Sequence, residues 1–282
     1  MSCIAIVTDS TANLPSEFIE NNNIRVIPLK MHWGEETIRD GVDITPSDFY
    51  QRLAISDDIP KTSQPSIQEF IQVYEELAPN CNGIIVPLIS SGISGTVNSA
   101  QSAKAQFSSV PVEVVDSYST SAGLALVVMA ANRAVEAGKS LAEIKRITDN
   151  VASKVQFFFM VDTLLYLHRG GRIGGASSFL GSALNIKPIL YLDTLGKIDA
   201  LEQVRTKSKA MERLVELAVN TADGKPAHVA IVHADARDHA EKFRTLIEAY
   251  IDCEYLEIYP LSPVIGTHIG PGSIGVALHT EV

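Results

Sequence analysis

Cysteine is scarce in this sequence, and its three thiols form no recognisable pair. Cys3, Cys81 and Cys253 lie far apart and belong to no CxxC motif. A disulfide framework uses an even set of cysteines, and a structural zinc site uses closely spaced ligands. We therefore expect reduced thiols in a cytoplasmic protein, with no disulfide and no zinc site.

Basic residues and long apolar runs are also in short supply. The 23 lysines and arginines are outnumbered by 33 aspartates and glutamates, which gives a formal net charge of −10. Proteins that bind nucleic acid need clustered basic side chains, so we expect no nucleic-acid partner. No segment approaches the ~18 consecutive apolar residues of a membrane span, and the first residues lack the basic start of a signal peptide.

The chain contains enough apolar sequence for two folded domains. Its 282 residues are 46% hydrophobic and 20% charged, as in average globular proteins, and about 150 residues form a typical domain. In the first half, strand-like runs at 4–7, 83–89 and 112–115 each precede a helical pattern. Buried strands that alternate with helices indicate a parallel sheet covered on both faces.

The second half has more strands than helices. Strand-like runs occur at 156–161, 189–192, 197–200, 228–233, 255–259 and 273–278, and helical patterns occur at 204–219 and 235–250. This mixture is typical of an α+β domain. We therefore predict an α/β fold with two domains, an N-terminal parallel α/β sandwich (1–155) and a C-terminal α+β domain (156–282). No Pro- or Ser-rich linker separates them, so we expect an extensive interface.

Small hydroxyl residues follow the first three strand-like runs, at 8–11, 90–96 and 116–119. In open α/β sheets this edge binds ligands, and hydroxyls beside helix N-termini suit an anion. The same residue types are preferred helix caps, so capping alone explains any one loop. In a further hydroxyl-rich loop, Ser66 and Glu69 match a capping box, which leaves Thr62 and Ser63 without an obvious structural duty.

Two other motifs carry less weight. The glycines at 270–275 match G-x-G-x-x-G, but no crossover helix and no acidic residue about 20 positions later can follow them. We expect close backbone approach there, with the preceding His268 as a candidate ligand contact. The segment 233–239 is rich in His and Asp without a recognised ligand spacing, and we expect no metal site.

Six segments together resemble the DegV family of bacterial lipid-binding proteins. They are IVTDSTANLP at 6–15, TSQPS at 62–66, SSGISGT at 90–96, VDS at 115–117, RGGRI at 169–173 and GPG at 270–272. They occur in order over nearly the whole chain. The resemblance implies a non-enzymatic protein with no cofactor and no metal that binds a long-chain fatty acid in an apolar tunnel between or beside the two domains.

The resemblance also implies roles for particular residues. It maps the carboxylate contacts onto Thr62 and Ser94, and it places His268 and Arg205 near the head group. Around these we expect four further positions to contribute. Ser63, Gly95 and Ser117 are expected at the fatty-acid site, and Arg172 is expected on a partner-facing or membrane-facing surface.

The family further implies partners. They are a fatty-acid kinase, which forms an acyl phosphate that feeds phospholipid synthesis, and a transient membrane surface. We hypothesise that residues 176–184, small and apolar after two glycines, form a mobile lid over the tunnel.

Two alternative functions stay open at this point. One is a hydrolase that uses Ser94 and His268, or a phosphotransferase, acting on a small polar substrate in the same pocket. The absence of an evident acid to orient His268 and of a nucleotide motif weighs against it. The other is a regulatory protein that senses lipid without presenting it to a kinase.

Overall fold

The computed structural model describes residues 3–181 and 186–280. Their strands are β1 Ile4–Asp9, β2 Arg25–Ile27, β3 Lys30–Trp33, β4 Glu36–Arg39, β5 Lys61–Ser63, β6 Gly83–Leu88, β7 Val112–Asp116, β8 Gln156–Met160, β9 Lys187–Leu192, β10 Ile198–Val204, β11 Ala227–His233, β12 Cys253–Pro260 and β13 Ile274–Thr280. The α-helices are α1 Ser16–Asn21, α2 Pro46–Ile55, α3 Ile67–Leu77, α4 Thr96–Gln106, α5 Ser121–Glu136, α6 Leu141–Ala152, α7 Leu165–Arg169, α8 Lys207–Ala222, α9 Arg237–Tyr250 and α10 Pro263–Ile269.

Two large sheets confirm the predicted fold class. The first is fully parallel, with strand order β2-β1-β6-β7. The second is mixed, with order β10-β9-β8-β13-β11-β12, and only its β11–β12 pair is parallel. All strands of the first sheet precede residue 155 and all strands of the second follow it, while the division into two domains at this residue stays a prediction.

Helix α5 lies between the two large sheets. Thirteen of its sixteen residues are buried, and it contacts β1 and β6 on one side and β8, β11 and β13 on the other. A helix that is apolar nearly all round can bury one face against each of the two sheets. One continuous apolar core therefore extends from the parallel sheet through α5 to the mixed sheet.

A third, small sheet was not predicted from the sequence. Its antiparallel order is β4-β3-β5, and its strands have only three or four residues each. Helix α10, also unpredicted, packs against β3, β5 and α2. These short elements carry little periodic signal, yet they bring the chain near residue 62 against the chain near residue 268.

Several elements lie at or close to their predicted positions. Helix α3 begins directly after Ser66, and the predicted Ser66–Glu69 capping box is present. The strand-like runs predicted at 189–192 and 197–200 pair with each other as the antiparallel strands β9 and β10. The helix predicted at 204–219 begins instead at Lys207, because β10 continues to Val204 and Thr206 caps the helix.

The segment predicted to form a lid is described only in part. Residues up to Phe179 form a 3-10 helix, Gly174–Phe179, that packs against β10. Ala176 is fully buried and Leu180 is exposed, and residues 182–184 of the predicted lid lie outside the described residues. In the described part of the chain, no helix is both long enough and apolar enough to cross a membrane.

Candidate functional site

A cavity lies where the parallel sheet, the mixed sheet and helix α10 meet. Its empty space, including the open mouth, is about 770 Å³. Aliphatic and phenyl side chains form most of its wall, among them Phe157, Phe159, Val232, Val264 and Ile269. Such a wall favours an apolar ligand, because its burial removes apolar surface from water.

Polar side chains are grouped at one part of this wall. Thr62 on β5 and His268 in the last turn of α10 meet there, with 2.7 Å between Thr62 Oγ1 and His268 Nε2. Ser94 and Arg172 line the same cavity. Four segments that are distant in sequence thus supply one polar cluster, which we call the polar end: Thr62, Ser94, Arg172 and His268.

His268 is a neutral group at pH 7. Burial and the nearby Arg172 guanidinium lower the pKa of its ring to about 4. With the ring proton on Nε2, the ring donates to Thr62 and leaves the Thr62 hydroxyl proton free to donate to an anion. Gly170 fits beside the ring for a steric reason, because a Cβ there would lie 2.2 Å from His268 Nδ1.

Ser94 belongs to the hydroxyl-rich loop that precedes α4. Its Oγ lies 2.8 Å from Thr96 Oγ1 and accepts from the Thr96 N–H. Gly95 is the N-cap residue of α4, and a Cβ there would lie 3.0 Å from Nε2 of Gln64. The loop around residue 94 and the loop around residue 62 are therefore in direct contact.

Arg172 faces the cavity instead of extending into solvent. The side chain is half-buried, its Nη1 donates to the Gly170 carbonyl (2.8 Å) and its Nε donates to the Ile93 carbonyl (3.3 Å). This position supplies a fixed positive charge beside Ser94 and His268. The partner-facing role expected of Arg172 stays a prediction, and the sequence pattern did not indicate its place at the cavity.

Three other residues that were predicted at the fatty-acid site lie outside the polar end. Ser63 lines the cavity and lies 2.9 Å from His32 Nε2. Ser117 is buried, and its hydroxyl donates to the Ser119 carbonyl in a local turn (3.0 Å). Arg205 is exposed just after β10, and neither it nor Ser117 is part of the cavity wall. Their expected contacts with a fatty acid stay predictions.

Two buried carboxylates support the segments that carry the polar end. Asp9 accepts from the Ile89 N–H (2.8 Å), at the start of the loop that leads to Ser94. Asp40 accepts from Ser10 Oγ (2.7 Å) and from the Val264 N–H (3.2 Å) in the first turn of α10. Burial raises the pKa of Asp40 to about 6. The hydroxyl-rich segment after β1 thus anchors both sides of the site.

The hydrogen bonds of Ser94 and His268 do not form a catalytic arrangement. Ser94 is bonded to Thr96 and His268 to Thr62, so no serine–histidine pair of the kind that activates a nucleophile is formed among these residues. The described residues also contain no group of three or more His, Cys, Asp or Glu side chains suited to a metal ion.

The polar end also reaches the protein surface. Thr62, Arg172 and His268 line both the cavity and an adjoining surface cleft. Lys61 and Arg169 lie in the wall of that cleft. A group bound at the polar end would therefore be near solvent, with the apolar part of the cavity on its other side.

Comparisons with known proteins agree over the full length. A model described as an uncharacterised protein of the DegV family matches residues 3–281. Protein DegV of Bacillus subtilis is 37% identical over 276 residues, which cover 97% of this chain and 98% of that protein.

Solved structures agree as well. A DegV family protein from Thermus thermophilus, described by its fatty acid binding, is 33% identical, covers 100% of both chains and has a TM-score of 0.94. A stearic acid-binding protein from Eubacterium ventriosum is 25% identical, covers 98% of both chains and has a TM-score of 0.90.

Proposed function

Because the chain belongs to the DegV family, we propose that it binds a long-chain fatty acid in the cavity, with the carboxylate at the polar end. The observation that carries this proposal is the cavity itself, whose apolar wall ends in two hydroxyls, a neutral histidine and one guanidinium. The relatives described by fatty-acid binding support it.

The energetics favour tight binding. Burial of roughly 15 methylenes at about 0.8 kcal/mol each contributes about 12 kcal/mol before the entropic cost of association is subtracted. Hydrogen bonds from Thr62 and Ser94 and the charge of Arg172 offset the desolvation of the carboxylate and keep it ionised. Capture of the lipid is therefore easier than its release.

The finer proposal is that the protein presents the bound acid to a partner kinase in the cytoplasm. The kinase forms an acyl phosphate on the carboxylate, which then feeds phospholipid synthesis, and the protein collects its ligand at a membrane surface. The surface cleft beside the polar end supports this, because a partner can reach the carboxylate there while the acyl chain stays buried.

The first experiment is mass spectrometry of the lipid extracted from the purified protein, paired with native mass spectrometry of the intact protein. We expect one fatty acid per chain, and delipidated protein should take up added palmitate in calorimetry. A protein that carries no lipid and takes up none would refute fatty-acid binding.

A second experiment tests presentation. With a purified fatty-acid kinase and ATP, the loaded protein should support acyl-phosphate formation, whereas the protein alone should turn over neither ATP nor acyl esters. Binding without any support of the kinase reaction would favour a lipid sensor. Ester hydrolysis by the protein alone, lost in Ser94→Ala, would favour the hydrolase alternative.

A further inference from the structure

One hydroxyl in the cavity wall has no hydrogen-bond partner. Thr120 lines the cavity with 7% of its surface exposed, and its Oγ1 is buried without a partner among the described residues. A buried hydroxyl without a partner is unfavourable, and a valine of the same shape would avoid that cost. A ligand group able to hydrogen-bond with this hydroxyl would remove the cost.

Other hydroxyls of the wall are already paired. Ser273 donates to the Ile269 carbonyl (3.2 Å), Ser63 lies 2.9 Å from His32 Nε2, and Thr62 is bonded to His268. Thr120 thus differs from the other hydroxyls of the wall in having no partner. The adjoining Ser119 and Ser121 hydroxyls are also buried without a partner, but neither residue is part of the cavity wall. A polar group in this setting selects ligands that carry a matching polar group.

Thr120 also lies at a helix N-terminus, where the surroundings of its hydroxyl are polar. It is the N-cap residue of α5, the long helix between the sheets, and its side chain makes no capping hydrogen bond. A threonine at this position ordinarily caps the helix through its hydroxyl. The first N–H groups of a helix lack partners inside it, and the helix dipole makes this end favourable for an oxygen acceptor.

From these observations we propose that the cavity contains a second polar subsite at Thr120. It accepts an oxygen function, a hydroxyl or a keto group, carried on the acyl chain of the bound acid. This inference rests on the proposed fatty-acid binding. The protein is then selective for oxygenated fatty acids over unsubstituted ones of equal length.

The subsite takes a neutral oxygen because the charge of the carboxylate is met elsewhere. Arg172 is held by the carbonyls of Ile93 and Gly170 at the polar end, and no hydrogen bond or ion pair links it to Thr120. A hydroxyl on the chain both donates and accepts, as the threonine hydroxyl does, so each satisfies the other. An unsubstituted chain leaves Thr120 unpaired in the complex.

The test compares stearic acid with stearic acids that carry a hydroxyl at carbon 2, 3, 10 or 12, using calorimetry. In the wild type, we expect at least one isomer to bind about tenfold tighter than stearic acid. In Thr120→Val that preference should disappear, while stearic acid binds at least as tightly as before. Thr148→Val is the matched control, because Thr148 is buried, is bonded to the Ile144 carbonyl and lies outside the cavity wall.

The outcomes distinguish failure of the subsite from failure of fatty-acid binding. An equal ratio of hydroxystearate to stearate affinity in the wild type and in Thr120→Val, for every isomer, would overturn the subsite. Absence of any fatty-acid binding by the wild type would instead refute the proposed function. If Thr120→Val does not fold, Thr120→Ser should keep the preference and Thr120→Ala should lose it, and equal preference in these two variants would also overturn the subsite.

Discussion

Neutral donors make up most of the polar end, and Arg172 supplies its one fixed positive charge. Thr62 and Ser94 contribute hydroxyls, and His268 has a pKa of about 4, which makes it neutral at pH 7. Hydrogen bonds to a charged group are worth about 1.5–3 kcal/mol each. The contribution of each residue to carboxylate binding is therefore measurable by single substitutions.

Removal of either hydroxyl should weaken fatty-acid binding. We expect Thr62→Val and Ser94→Ala each to cost about 1–3 kcal/mol, or roughly 5–150-fold in Kd, measured by calorimetry with palmitate. Thr221→Val serves as a control, because Thr221 donates to the Leu217 carbonyl in α8 and lies outside the cavity wall. Wild-type affinity in both site variants would contradict the head-group assignment.

A substitution of Arg172 distinguishes its two proposed roles, contact with the carboxylate and contact with a partner. If its guanidinium holds the carboxylate, Arg172→Gln should raise the Kd for palmitate at least about tenfold, because a charge-assisted interaction is lost. Unchanged affinity together with weaker, salt-sensitive coupling to the kinase would favour the partner-facing role instead. Arg205→Gln tests the head-group contact predicted for that residue, which is exposed and outside the cavity wall: a raised Kd would support the contact, and an unchanged Kd would contradict it.

The ring of His268 should report the bound carboxylate. A negative charge at the polar end favours the protonated ring, so binding should raise the pKa of His268 above its ligand-free value of about 4. Between the two pKa values proton uptake accompanies binding, so affinity should rise as pH falls through the pKa of the complex towards about 4. NMR titration of the ring checks this. His279, also with a pKa of about 4 and outside the cavity wall, is an internal control that should not move.

At the scale of elements, the seven-residue helix α10 depends on contacts from elsewhere to hold its place. Ser262 caps it through the Ile265 N–H, and Asp40 accepts from the Val264 N–H. A helix this short has little stability of its own, so such contacts and packing fix its position. The placement of His268 follows from them.

Asp40 gives this support a pH dependence. Its pKa in the fold, about 6, exceeds the ordinary value of 3.8 because the carboxyl is buried. Stability from this group is therefore present at low pH and lost as pH rises through about 6, by up to about 3 kcal/mol at about 1.36 kcal/mol per pKa unit.

Asp40→Asn tests that dependence, because asparagine does not ionise. From pH 4 to pH 7, the wild type should lose free energy of unfolding relative to the variant, measured by urea denaturation at both values. Titrating groups that do not interact with Asp40 cancel in this difference, whereas Asp9, whose charge raises the pKa of Asp40, contributes to it. An identical difference at the two pH values would contradict the assigned effect of burial.

At the scale of the whole molecule, α5 joins the two sheets into one core. Its buried faces contact strands on both sides of residue 155. Separation of the sheets would expose most of this helix to water, and exposure of its apolar surface is unfavourable in free energy. The cavity lined by Thr62 and His268 lies at the same junction.

We therefore expect one unfolding transition for the full chain. Urea unfolding followed by far-UV circular dichroism and by fluorescence of the single tryptophan, Trp33, should give coincident curves. A fragment of residues 1–155 should fail to fold stably, because one face of α5 has no partner there. Two separate transitions, or a stable fragment, would show that the halves fold independently.

Local patterns in the sequence were sufficient for the fold class and for many elements. Apolar runs followed by helical periodicity predicted the parallel sheet, and the Ser66–Glu69 box predicted the start of α3. These features depend on neighbours within a few residues, so a single sequence contains them. The hydroxyl-rich loops at the sheet edge were visible for the same reason.

The resemblance to a known family named Thr62, Ser94 and His268 together, but the geometry that joins them was decided by the tertiary structure. Thr62 and His268 are 206 residues apart in sequence, and the short elements that join them, β5 and α10, carry no strong local pattern. Whether Arg172 faces the cavity, and whether Thr120 is paired, depends on which backbone carbonyls the packing brings within reach. Side-chain direction and hydrogen-bond satisfaction arise only when distant segments meet, so no local pattern specifies them.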